Sequence, residues 1–215
     1  MRICFSTGIL LLFTLSSCIT ILQGLITHDN IVTDSRLPGK WMTTDSTSFI
    51  VQKIMDSKFK PTLEELNRHE YTKADSLFFT KLYVLSFREN NLNYSWFAGI
   101  VKIHEQYYIN LAPEDCLNDS FEEAYRLDGQ SFLNTSSIAK LEWKNNNELS
   151  LNFLNGDKLK EIILNGNALI AYEYDPLFDS FVITASSNEL EKFLEKYGDN
   201  EYLYKGGRII NLRKK

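Results

Sequence analysis

The stretch ELSLNFL, residues 148–154, constrains the fold more than any other part of the chain. Leu149, Leu151 and Phe153 alternate with Ser150 and Asn152, the two-residue period of a strand with one dry face and one wet face. Just before it, SIAKLEW places Ala139, Leu141 and Trp143 on one side, and the polar run Lys144-Asn145-Asn146-Asn147 is turn chemistry, so residues 138–154 read as a hairpin. The spacing predicts a second pair at 96–103 and 106–111, separated by His104-Glu105, and further strands at 49–54, 81–87, 169–174 and 181–184. Two helices interrupt them. Ser186 and Glu189 match a capping box, Leu190, Phe193, Leu194 and Tyr197 recur at helical spacing, and Gly198 is a C-terminal stop. Residues 157–164 carry Leu159, Ile162 and Ile163 on one side between Gly156 and Gly166, and a shorter turn starts at Pro61-Thr62. The class expected is mainly antiparallel β (α+β): a β-sheet or calycin-like open barrel with two or three packed helices.

The chain has 215 residues, 44% of them hydrophobic and 13% aromatic, enough for one sizeable core. Its formal charge is −5, and the one basic cluster is Arg213, Lys214 and Lys215 at the end, so nucleic acid is not an expected partner. The first residues look like a targeting segment: Arg2, then the apolar run ILLLFTL at 9–15, then LSSC at 15–18. On this reading residues 1–17 are a signal peptide, 18–35 a membrane-proximal tether and 36–215 a single β-rich domain. A second reading stays open. No charged residue occurs from Ile3 to Thr27, a length that would span a bilayer as an uncleaved signal anchor. Both readings place the chain beyond His28 outside the cytoplasm. Cys4 leaves with a cleaved signal, so with Cys18 at the anchor only Cys116 remains and no internal disulfide framework is expected.

The LSSC ending resembles the lipobox of bacterial lipoproteins, which implies that Cys18 is lipidated, with a thioether-linked diacylglycerol and palmitate, and becomes the mature N-terminus. Together with the opening LPGKWM, the central AGIVKIHEQYYINLAP (98–113) and the closing FVITASSNELEKFLEKYGDNEYLY (181–204), it is similar to a group of uncharacterised exported lipoproteins of Bacteroidota-type bacteria. That resemblance implies a lipid-anchored place in the cell envelope and carries no catalytic motif. Surface-displayed members often carry an acidic run after the lipidated Cys, and residues 19–26 have none, which favours the periplasm-facing side of the outer membrane. Gly39-Lys40-Trp41 also resembles the Gly-x-Trp opening of lipocalin-like barrels, which implies a tryptophan closing one barrel end beneath an arginine from near the last strand, here Arg208 or Arg213. The chain departs from that family in lacking a Thr-Asp-Tyr turn and in placing helices among its strands. The plainer expectation is that Trp41 plugs the core where the domain begins.

Chemistry-bearing groups are few. His28, His69 and His104 lie far apart with no metal-ligand spacing, there is no Gly-rich phosphate loop, no Gly-x-Ser-x-Gly elbow, and no cofactor is expected. Cys116 has Glu114 and Asp115 beside it, which raise a thiol pKa, although His69 and His104 are available as bases. Glu173, Asp175 and Asp179 are the one carboxylate group that a sugar hydrolase could draw on, against the simpler reading of a turn at Asp175-Pro176. Aromatic residues with polar tips suit ligand faces, which makes Trp41, Tyr94, Trp96, Tyr107 and Tyr172 the candidate binding residues, with Phe97, Tyr108 and Tyr174 beside them; sheet packing is the alternative. Asp45-Ser46-Thr47 and Asp75-Ser76-Leu77 resemble O-glycan acceptors of exported Bacteroidota proteins, while the sequons at Asn93 and Asn118 carry no meaning in a bacterial lipoprotein. The expected function is a lipid-anchored, non-enzymatic binding or assembly module, with an envelope protein or a small ligand as its partner. The alternative is a membrane-tethered hydrolase.

Overall fold

A computed structural model of the chain describes residues 20–57, 73–89, 92–113 and 135–215. The strands in chain order are β1 (Thr20–Ile21), β2 (Ile31–Val32), β3 (Gly39–Thr43), β4 (Ser48–Lys53), β5 (Tyr83–Glu89), β6 (Leu92–Ile103), β7 (Gln106–Pro113), β8 (Ser137–Asn145), β9 (Glu148–Phe153), β10 (Tyr172–Asp175), β11 (Ser180–Ile183) and β12 (Ile209–Lys214). Eight of them, β3 to β9 and β12, form an up-and-down antiparallel ring that closes on itself through the β6–β7 and β12–β3 pairings. The fold is mainly β and calycin-like, and the barrel is closed where an open one was expected. Closure follows from length. β6 has 12 residues, so its first part pairs with β5 while its last part pairs with β7, and no edge is left between them.

Alternation sorts the side chains into an inside and an outside. Trp41, Val51, Tyr83, Leu85, Ala98, Ile100, Ile109, Ala139, Leu141, Leu149, Leu151 and Leu212 fill the barrel together with Leu37. The outward residues of the β6–β8 wall, Val101, Ile103, Tyr108 and Ile138, belong to a second core laid over its outer face. That wall is dry on both sides, which is why AGIVKI is nearly continuous in apolar residues where ELSLNFL alternates.

Among the described residues there are three α-helices: α1 (Lys73–Lys81), α2 (Gly156–Leu164) and α3 (Ser187–Tyr197). α3 carries the expected capping box at Ser186 and Glu189 and buries Leu190, Phe193 and Leu194. α2 is capped by the Asn155 side chain and buries Leu159 and Ile163. Both lie in the long connection from β9 to β12, and α1 in the connection from β4 to β5. Helices therefore decorate the crossovers of an eight-stranded barrel without interrupting it. The strand expected at 81–87 begins at Tyr83, after α1 ends at Lys81. The strands expected at 169–174 and 181–184 exist as β10 and β11, but they join β1 in a separate three-stranded sheet. The turn expected at Pro61-Thr62 lies outside the described residues.

The segment expected as a tether is part of the fold from Thr20 onward. β1 pairs in parallel with β11, Ile21 and Leu25 are buried at 2% and 0% exposure, and the Leu25 amide donates to the Asn110 side chain at 2.8 Å. β2 then adds to β6, and Ile31 packs with Leu82, Val84 and Phe97 under α1. The run ILQGLIT is apolar because Ile21 and Leu25 are buried in this outer core and Ile26 packs against it, while Gln23 between them is exposed.

Candidate functional site

The barrel has two unlike ends. At the first, Leu37 is buried in the barrel core and Val32 packs against it. The Trp41 indole is buried at 1% exposure and its Nε1–H donates to the Leu37 carbonyl at 2.7 Å. Over its face lies Lys214 Nζ, 5.3 Å from the ring centre, which also donates to the Arg36 carbonyl at 2.7 Å. The cation on the tryptophan is thus Lys214 in place of the expected Arg208 or Arg213. Register gives the reason: Lys214 pairs with Trp41 and shares its inward face, whereas Arg213 pairs with Met42, points outward and meets Glu148. Arg208 precedes β12 at the other end of that strand and is exposed. Gly39 makes the lysine's path possible. Its φ is +142°, and a Cβ there would sit 2.7 Å from Lys214 Cε.

A second cation completes the seal. The Arg36 guanidinium stacks 4.1 Å over Trp143, whose ring lies 6.0 Å from Trp41, and it grips both oxygens of Asp34 at 2.6 to 3.2 Å. Burial pushes the Asp34 carboxyl up, but the hydrogen bonds and charge of Arg36 outweigh it and hold the group below its ordinary value. The Trp143 indole N–H is buried without a partner in hydrogen-bond geometry, yet it lies near enough to Asp34 to lower that carboxyl slightly further. Tyr83 ties the same segment to β5, its hydroxyl donating to the Asp34 carbonyl and accepting from the Asp34 amide.

At the opposite end, where β3 turns into β4 and β5 leads to β6, four inward rings form a ladder. Phe87 stacks against Tyr94 at 4.8 Å and Trp96 at 5.1 Å, and lies 5.3 Å from Phe49. Tyr94 is 39% exposed, while Phe49, Phe87 and Trp96 are half-buried. The five aromatic residues proposed for binding therefore do not share one surface. Trp41 is sealed in the floor and Tyr107 is half-buried toward that floor with Lys102 5.9 Å from its ring. Tyr94 and Trp96 belong to the ladder, and Tyr172 stands outside the barrel on β10 against Phe181. Cys18 and Cys116 lie outside the described residues, as do His69 and Asn118. Ser46 is exposed in the β3–β4 turn with φ +70°, and Ser76 falls within α1.

The carboxylates proposed for hydrolysis lie on an exposed hairpin. Asp175 accepts from the Leu177 amide at 2.8 Å and so closes its own turn. Asp179 pairs with Lys160 and accepts from the Tyr174 hydroxyl, and the Lys160 partner holds its carboxyl below the usual range. A glycosidase needs one carboxyl kept protonated by its surroundings, and this hairpin does the reverse for Asp179. Lys158, bonded to Tyr202 and Glu161, is pushed further from neutrality. Among the described residues no three His, Cys, Asp or Glu side chains converge as a metal site. Two surface depressions, of about 340 and 480 Å³, lie outside the barrel along α2 and α3. No helix of the described residues is long and apolar enough to cross a membrane. Comparison of the chain with protein-family models, with curated proteins and with solved structures returns no match.

Proposed function

We propose that the protein is a lipid-anchored component of a bacterial cell envelope, held by Cys18 in the outer membrane facing the periplasm, whose barrel acts by contact and not by catalysis. The observation that carries this reading is where the fold begins. Because Ile21 and Leu25 belong to the domain core, the uncharged run left for a bilayer ends before Thr20. Residues 3–19 would make a helix of roughly 25 Å, at the short limit for crossing the roughly 30 Å hydrocarbon layer. Cleavage before Cys18 removes that constraint, since the acyl chains then enter one leaflet and the chain has only to reach the membrane surface. The apolar side chains packed inside the barrel support a role through surface contact over one as a deep ligand cup. Mass spectrometry of the mature chain extracted from membranes tests the anchor. A chain starting at Cys18 and carrying an added diacylglycerol mass is expected; a chain still holding residues 1–17 returns the signal anchor.

A further inference from the structure

The turn that joins β10 to β11 exposes two large apolar side chains at its tip. Leu177 is 82% and Phe178 77% exposed, next to Pro176, whereas most large apolar residues of the described chain are packed. The tip's two carboxylates are both engaged, Asp175 by the Leu177 amide within the turn and Asp179 by Tyr174 of the hairpin and Lys160 of α2. The outermost surface is left to Pro176, Leu177 and Phe178. Behind them on the same hairpin stand Tyr172 and Tyr174, rings with polar ends of the kind that favour the headgroup level of a bilayer.

What covers this tip is indicated by where the chain enters the fold. Thr20 pairs with Val182 and Ile21 with Ile183 in parallel register. The direction of β1 at Thr20 therefore points back along β11 toward Ser180 and the turn. Cys18 is two residues upstream, a reach of at most about 7 Å, and Phe178 is four residues from Val182, about 13 Å of strand. The chain thus enters the described fold at Thr20 on the side of the small sheet that carries the exposed apolar tip. We propose that the Leu177-Phe178 tip inserts into the bilayer beside the anchor, as a second contact that fixes how the barrel stands on the membrane. Attachment through a single residue lets a domain swivel, and a second apolar contact a short distance away restricts that motion. This inference rests on the lipid-anchor reading.

The test uses the full chain, processed in a bacterial envelope, extracted and reconstituted into phosphatidylcholine vesicles with bromine-labelled acyl chains, which quench tryptophan in the hydrocarbon. Phe178→Trp adds a reporter at the tip, and Leu169→Trp adds one three residues before β10, at the end of that strand away from the turn, where the native side chain is 92% exposed. Both sites are exposed, so neither substitution disturbs the core. Relative to the unsubstituted protein, the added emission of Phe178→Trp is expected to fall about twofold or more in bromolipid while that of Leu169→Trp is unchanged. Equal quenching at both positions, or none at 178, overturns the proposal, including in favour of a protein partner for the tip. Mass spectrometry of the same preparation separates the two claims. A lipidated Cys18 with no quenching at 178 sinks the insertion alone, and an intact N-terminus with quenching at 178 sinks the lipidation alone.

Discussion

At the scale of single residues, the floor of the barrel depends on one glycine and one lysine. Gly39→Ala would place a Cβ 2.7 Å from Lys214 Cε in a backbone conformation that side chains rarely adopt. The expected loss is about 1–3 kcal/mol in urea unfolding. Lys214→Met keeps the stem but removes the cation over Trp41 and the bond to the Arg36 carbonyl, with an expected cost of about 1–2 kcal/mol. Arg213→Met, on the outward face, should change little. Asp34 adds a dependence on pH. Its folded carboxyl titrates below its ordinary value of 3.8, so its stabilisation is complete above that value and is lost as pH falls through the lower folded one. Unfolding followed below about pH 4 should therefore show the native protein losing stability more steeply than Asp34→Asn. The Gly-x-Trp pattern made this site legible, but not the identity of the cation. The sequence offers Arg208, Arg213 and Lys214 within seven residues, and only the strand register selects among them.

At the scale of elements, legibility followed the number of neighbours each element has. The β8–β9 hairpin and α3 carry their signals within their own residues, alternation in one and a capping box with helical spacing in the other, and both form where expected. β12 gives no such signal. IINLRK opens with two adjacent isoleucines and closes with two cations, and its strand character comes from β9 and β3 on either side. The inward-outward assignment of β4 and β5 makes a clean prediction. Phe87 touches Phe49, Tyr94 and Trp96, so Phe87→Ala should cost about 2 kcal/mol or more, whereas Ile50→Ala, one residue along β4 from Phe49 and facing out at 41% exposure, should stay within about 0.5 kcal/mol. Comparable losses at both positions would mean that the aromatic ladder is not a packed part of the barrel. Tyr94 and Trp96 would then regain their standing as ligand-facing residues.

At the scale of the whole molecule, the point where the domain begins decides how much of the N-terminal chain belongs to the fold. An apolar, uncharged segment such as residues 19–27 has no local pattern to distinguish a tether from a buried strap. Its partners are remote: Leu25 binds Asn110 85 residues away, and Thr20 pairs with Val182. The tether reading and the folded reading make opposite predictions for truncation. Were residues 20–35 a linker, a chain starting at Arg36 would keep its stability. In the structure, that deletion uncovers the pockets of Ile21, Leu25 and Ile31, each buried to within 2% exposure, and removes the amide that satisfies the buried Asn110 side chain. Three such side chains are worth roughly 5–9 kcal/mol, comparable to the roughly 5–15 kcal/mol of stability in a whole domain. A chain starting at Arg36 is therefore expected to lose its cooperative thermal transition by circular dichroism, while one starting at Thr20 keeps it. Cooperative unfolding of the shorter chain would return residues 20–35 to the role of a tether.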